Sequence, residues 1–196
     1  MKPNLRDLFE DLDPSIKSLR SWQDKFSDYW TSYSNKRLIG LRTPTGSGKT
    51  LIGLLILEQG RRNKKRGVYL THNYQLMDRI AKEADKLNIN HAILGGAKNI
   101  KGIEWKNRQK KIYDYTNYNH IIISNYHTFL YTKDFPENID ILLIDDVDLF
   151  YDTLREYFSI SIKNEGITKK CYSQIVESLS QRNYNNNYDD LKKFGI

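Results

Sequence analysis

Two glycines, a lysine and a threonine fall in the order Gly46-Ser47-Gly48-Lys49-Thr50, directly after Thr43-Pro44-Thr45. Glycine lets the backbone curl through conformations closed to other residues, so that successive N–H groups converge on one anion. Thr45, Gly46, Ser47 and Gly48 would line such a turn. Lys49 would reach the outer phosphate oxygens, and Thr50 would hold Mg2+ through its hydroxyl. The chemistry this spacing offers is the binding of a nucleoside triphosphate with its metal. Far along the chain, Asp145 and Asp146 follow the apolar run Ile141–Ile144. A carboxylate at a strand tip can hold Mg2+ opposite Thr50, usually through water, and one beside it can orient and deprotonate an attacking water. An acidic pair by itself reads as a solvated turn. The glycine loop is what turns Asp145 into a metal partner and Asp146 into a catalytic carboxylate.

These groups need a frame. Leu38–Leu41 ahead of the loop is apolar enough for a buried strand, and the apolar run from Leu51 to Leu57 suits a helix reaching about Gly60. Gly67–Thr71, His91–Leu94, Ile121–Ser124 and Ile141–Ile144 read as further strands, with Gly95-Gly96 closing the second of these. A helix is predicted from about Tyr74 to Leu87, with Leu76, Ile80, Ala84 and Leu87 as its stripe. Apolar strands alternating with helices predict a mostly parallel sheet with helices on both faces, and sites at the carboxyl ends of the strands. That edge would carry Thr43–Thr50, Thr71, Ser124-Asn125 and Asp145–Asp148. Residues 14–36 read as helical or mixed, with Leu19, Trp22, Phe26 and Tyr29 on one face. After Asp152 the pattern weakens into helices and a Tyr/Asn-rich stretch from Asn183 to Tyr188 that reads as a loop.

The 196 residues suit one domain with a real core, and the single cysteine, Cys171, rules out a disulfide framework or a four-cysteine cluster within the chain. No apolar run approaches the roughly 20 residues that span a membrane, and the first residues do not look like a signal peptide, so a cytoplasmic location is expected. The net charge of +7 is uneven: residues 36–133 hold 19 Lys/Arg against 6 Asp/Glu. The basic residues gather in Arg61–Arg66 and from Lys98 to Lys111. Such patches attract a polyanion, or they form a solvated helix end and a charged loop.

Together these residues resemble the first RecA-like motor lobe of superfamily-2 DEAD/DEAH-type helicases, with a P-loop NTPase fold. Thr43–Thr50 is similar to motif I, and Leu19-Arg20-Ser21-Trp22-Gln23 to the upstream element whose glutamine reads the adenine edge. Tyr69-Leu70-Thr71-His72 resembles motif Ia, and Ser124-Asn125-Tyr126-His127 the next strand-end motif; in the family both touch the nucleic-acid backbone. Asp145-Asp146-Val147-Asp148 stands where Asp-Glu-Ala-His or Asp-Glu-Ala-Asp is usual, most like iron–sulfur DNA-repair-type helicases and bacterial Asp-Asp-Ala-His relatives. Asp146 is one methylene shorter than the usual glutamate, and Asp148 replaces the frequent histidine.

The resemblance implies ATP and Mg2+ as cofactors, bound by Arg20, Gln23, Lys49, Thr50 and Asp145. It implies DNA, single-stranded or at a duplex junction, as partner, with RNA as a further candidate, contacted by Thr71, His72, Ser124, Asn125 and Tyr126. It also implies a second RecA-like lobe in cis or in trans, and no membrane. From the residues alone, Gln23 could equally be a polar neighbour of a buried Trp22, Arg20 an ion-pair partner, and Tyr126 a core residue as readily as a base-stacking one. His72 and His127 read as strand-end residues rather than metal ligands. The chain divides into an extension (1–16), the ATP-binding lobe (17–150) and a helical segment (151–196). The 48 residues beyond Asp148 are too few for another lobe, so the chain is expected to be a weakly active half-motor, a fragment of a larger enzyme rather than a one-lobe protein that needs a partner. Against the helicase lobe stand a stand-alone P-loop ATPase and a nucleotide-responsive interaction module.

Overall fold

The apolar runs pair as parallel strands because each can bury both faces under the helices that connect them. The computed structural model describes residues 4–15, 18–96, 103–159, 162 and 164–181. Its elements run α1 (Leu5–Asp11), α2 (Ser21–Tyr33), α3 (Lys49–Arg62), β1 (Gly67–Thr71), α4 (Tyr74–Lys86), β2 (His91–Leu94), α5 (Ile103–Thr116), β3 (Ile121–Asn125), α6 (Tyr126–Tyr131), β4 (Ile141–Ile144), α7 (Val147–Tyr157) and α8 (Lys169–Gln181). The sheet order is β2-β3-β1-β4, all parallel. Leu94, Ser124, Leu70 and Ile144 lie in one register row across it. The next position along therefore brings Gly95, Asn125, Thr71 and Asp145 to a common carboxyl edge.

Alternation along the strands sorts two cores. Tyr69, Ile121 and Ile123 face a core with α1, α3 and α4, while Val68, Leu70, Ile122 and Leu94 face Tyr115, Tyr126, Phe135 and Phe150. Helix α1 belongs to the first core through Leu5, Leu8, Phe9 and Leu12, so the amino-terminal residues are packed onto the lobe. Residues 1–154 form one compact unit and 155–196 another, in which a short 3-10 turn (Gly166–Thr168) leads into α8. No helix among the described residues is long and apolar enough to cross a membrane.

Four details depart from the sequence pattern. Leu38–Leu41 is not a strand: Leu38 is 91% exposed, and among the described residues nothing pairs with the segment. A strand holds only when a neighbour takes its backbone groups, and apolar content does not supply one. Leu142 on the edge strand β4 is correspondingly exposed. On α2 the inward face is Gln23, Ser27 and Trp30, with Trp22 and Phe26 beside it, and Tyr29 turns to solvent. On α4, Met77 and Ala81 join Ile80, Ala84 and Leu87 in the core, and Leu76 sits at its margin. The Tyr/Asn-rich stretch and Lys98–Lys101 lie outside the described residues.

Candidate nucleotide site

The loop before α3 is built by two positive-φ glycines, Gly46 (φ 75°) and Gly48 (φ 92°), the latter capping the helix. The turn is closed by the Ser47 N–H donating to the Pro44 carbonyl (3.3 Å) and the Ser47 hydroxyl donating to Thr43 Oγ1 (2.9 Å). The start of α2 grips it from behind. Arg20 Nη1 donates to the Gly46 carbonyl (2.7 Å), Trp22 Nε1 to that of Ser47 (2.9 Å), and Gln23 Nε2 to that of Gly48 (2.9 Å). A peptide is planar and trans, so a carbonyl turned toward α2 sends the following N–H the opposite way. The N–H groups of Gly48 and Lys49 thus point outward at the positive end of α3, where the first helical amides have no internal partner. That arrangement suits an anion.

Gln23 is 2% exposed, and its amide is used at both ends, Oε1 accepting from the Arg20 N–H (2.7 Å). The structure therefore makes it a buried loop anchor, where the sequence left a choice between an exposed neighbour and a base reader. Arg20 spends its guanidinium on the same loop through the Gly46 carbonyl.

Across from the loop, the acidic tip is held by two tyrosines. The Asp145 N–H continues the ladder to the Leu70 carbonyl (3.0 Å), which fixes the tip beside β1. The Tyr69 hydroxyl donates to Asp145 Oδ1 (3.2 Å), and Thr50 acts on the same phenol. Burial, and then the Asp145 carboxylate, push this phenol far above its ordinary range, so it keeps its proton. Thr50 and Asp145 are thereby brought to one point. Hydroxyl and carboxylate oxygens without sulfur or imidazole are the donor set a hard divalent cation prefers.

Tyr126, from α6, brackets the backbone of Asp146: its hydroxyl donates to the Asp146 carbonyl (2.9 Å) and accepts from the Asp146 N–H (3.2 Å). Burial pushes its phenol up to about 12. The Asp146 Oδ1 accepts from the N–H groups of Asp148 (3.2 Å) and Leu149 (3.3 Å), the pattern of a helix N-cap. A glutamate in this place would overreach those amides, so the shorter side chain has a local structural use.

The residues expected at a nucleic-acid backbone share the carboxyl edge but differ in access. Thr71, Ser124, Asn125 and Tyr126 are buried, and His72 is exposed with its ring edge-on to Tyr126. Ser124 donates to the Leu94 carbonyl (2.7 Å), and Asn125 caps α6 by accepting from the Thr128 N–H (2.8 Å). Tyr126 is turned inward with its hydroxyl engaged, so it offers no ring face for a base to stack on. Thr71 Oγ1 is buried with no partner among the described residues.

The basic stretches resolve differently. Arg61 and Arg62 both bind the buried Glu58, Arg62 also pairs with Asp11, and Arg66 pairs with Asp140 at 2.9 Å. They sit where α3 ends and β1 begins, at the sheet edge opposite the loop. On α5, Arg108 is buried against Asp134 (2.7 Å) and the Gly95 carbonyl (2.7 Å), while Lys106 and Lys110, two residues to either side, are exposed on the outer face of the helix. A cavity of about 340 Å3 opens there, lined by Gly95, Gly96, Asn107, Arg108 and Lys111 among others.

Sequence reasoning passed over Trp22 and Tyr69 as site residues. Trp22 read as core, although an indole N–H needs an acceptor when buried, and that need was a signal. Tyr69 in a strand of aliphatic neighbours carried a similar one: a hydroxyl bound for the interior must meet a polar group.

A parallel sheet flanked by helices, with a glycine loop opening α3 and an acidic strand tip beside it, defines the RecA-like P-loop NTPase class. Residues 12–181 match the family model described as type III restriction enzyme, res subunit, and the chain belongs to that family, a superfamily-2 helicase domain of the DEAD/DEAH-like ATP-binding group. No curated protein matches the chain.

Proposed function

We propose that this chain is the ATP-binding, nucleic-acid-dependent ATPase lobe of a DNA helicase or translocase. The observation that carries the reading is the meeting of Thr50 and Asp145 on one tyrosine hydroxyl, beside a loop whose free amides face outward. In this reading Thr45 to Lys49 bind the phosphates, and Thr50 with Asp145 holds Mg2+, Asp145 through water. Magnesium there would neutralise charge on the phosphates as they separate. Asp146 orients the attacking water with the carboxylate capacity its cap leaves over. For Gln23 to read adenine, its amide would exchange the Gly48 carbonyl for the base edge, which would couple nucleotide capture to the seating of the loop.

DNA runs along the carboxyl edge past His72 and the exposed lysines of α5, and a second RecA-like lobe, in cis or in trans, supplies the remaining charge stabilisation. Within that reading, the kinship to the iron–sulfur repair type is carried by Asp145-Asp146. ATP turnover with and without single-stranded DNA tests the proposal. Stimulation that vanishes in Lys49→Ala supports it; turnover indifferent to DNA points to a stand-alone ATPase. The engagement of Asp146 as a helix cap favours one second reading, a lobe that binds ATP and responds to it without turning it over. In that case Asp146→Ala leaves an already negligible rate unchanged.

A further inference from the structure

Tyr69 packs its buried ring against the loop helix and carries its hydroxyl to the acidic tip. A Cβ on Gly53 would lie 3.0 Å from Tyr69 Cε2. Gly53 is three residues beyond Thr50 and shares its face of α3, so the helix that carries the Thr50 hydroxyl is also the lid over the ring. The ring is buried at 1% exposure and belongs to the core beneath α3. Its hydroxyl emerges from that core at Asp145 Oδ1, 3.2 Å away, with Thr50 acting on the same group.

We propose that Tyr69 is a positioning residue of the Mg-nucleotide site, its hydroxyl fixing the Asp145 carboxylate and the Thr50 hydroxyl so that both present oxygens to one divalent cation. The inference rests on the reading of that site as a magnesium–triphosphate site. A phenol has one proton to give. Tyr69 gives it to the Asp145 carboxylate, which sets the direction of that bond, with Thr50 beside the same hydroxyl. An aspartate on a strand tip would otherwise sample several rotamers, and a rigid outer partner removes that freedom before the metal arrives. Tyr69 touches neither nucleotide nor water in this role; it acts through its two neighbours.

The test is a Mg2+ titration of the full chain with a fluorescent ATP analogue, comparing wild type with Tyr69→Phe, which keeps the ring over Gly53. The Mg2+ needed for half-maximal binding should rise about tenfold, as outer-shell losses do. Affinity for the analogue in EDTA and the melting temperature in EDTA should stay close to wild type. Tyr69→Leu also lacks the hydroxyl and carries the test if the phenylalanine variant does not fold. An unchanged or lower Mg2+ requirement, or an equal loss with and without metal, overturns the role of Tyr69 and leaves the nucleotide reading standing. A wild-type chain that binds the analogue no better with Mg2+ than without it overturns the site reading and the inference with it.

Discussion

The Gln23 amide nitrogen lies 2.9 Å from the Gly48 carbonyl, and a Cβ on Gly48 would stand 2.7 Å from that same nitrogen. The glycine thus serves two needs at once, a φ of 92° and room for its anchor. Gly48→Ala meets both penalties. The left-handed backbone alone costs about 1 kcal/mol or more for a residue with a Cβ, and the clash displaces Gln23 from the buried place where it holds the loop. We expect loss of nucleotide binding by titration calorimetry, with a lower melting temperature. Gln23→Ala keeps the glycine and should weaken binding without abolishing it.

The cap formed by Asp146 separates charge from geometry. Asp146→Asn keeps a side-chain oxygen for the Asp148 and Leu149 amides, so stability measured by urea unfolding should change by only a few tenths of a kcal/mol. Asp146→Ala removes the cap and should cost about 1 kcal/mol. If the carboxylate prepares water, both variants lose DNA-stimulated ATP turnover equally despite their different stabilities. Turnover that follows stability instead would leave Asp146 a structural residue only.

His120 supplies a pH response that owes nothing to nucleotide. Burial lowers its pKa below the ordinary value, and the nearby charges of His91 and Lys111 work in the same direction; the Lys111 backbone and Asp114 oppose them. Its Nε2 is buried without a partner among the described residues. The folded chain therefore resists a proton that the unfolded chain accepts at about pH 6.5. This contribution is complete above that pH and is lost as pH falls toward the lowered folded value. Melting temperatures taken from pH 8 down to pH 5 should fall across that window, and His120→Phe should flatten the fall.

Periodicity alone carried most of the sheet. β1, β2, β3 and β4 announce themselves as apolar runs ending in threonine, glycine, serine or aspartate, and the loop and acidic tip are local in sequence. What stayed hidden depended on partners far along the chain. Leu38–Leu41 has a strand's composition, yet whether it becomes one is decided by a neighbour that composition cannot show. Helix α5 escaped notice because a cation, Arg108, occupies one of its inward positions, with Asp134 as the compensating charge. The tyrosine pair at the acidic tip was invisible for the same reason. A buried hydroxyl signals that it needs a partner, but Asp145 lies 76 residues from Tyr69, and only the fold joins them.

The two basic stretches differ in the charge they leave for a polyanion. Arg61, Arg62 and Arg66 are committed to Glu58, Asp11 and Asp140, while Lys64 and Lys65 are exposed and belong to none of these pairs, at the edge away from the loop. Lys106 and Lys110 are exposed on α5, the helix whose Arg108 reaches the Gly95 carbonyl at the carboxyl edge. If single-stranded DNA lies along that edge, Lys106→Glu with Lys110→Glu should weaken binding. The slope of log affinity against log salt should also become shallower by roughly 0.7 for each phosphate that is no longer neutralised. Lys64→Glu with Lys65→Glu changes the net charge equally and should leave that slope almost unaltered. Fluorescence anisotropy of a labelled oligonucleotide across a salt series distinguishes them: equal losses from both pairs would mean that net charge rather than a defined path governs DNA binding.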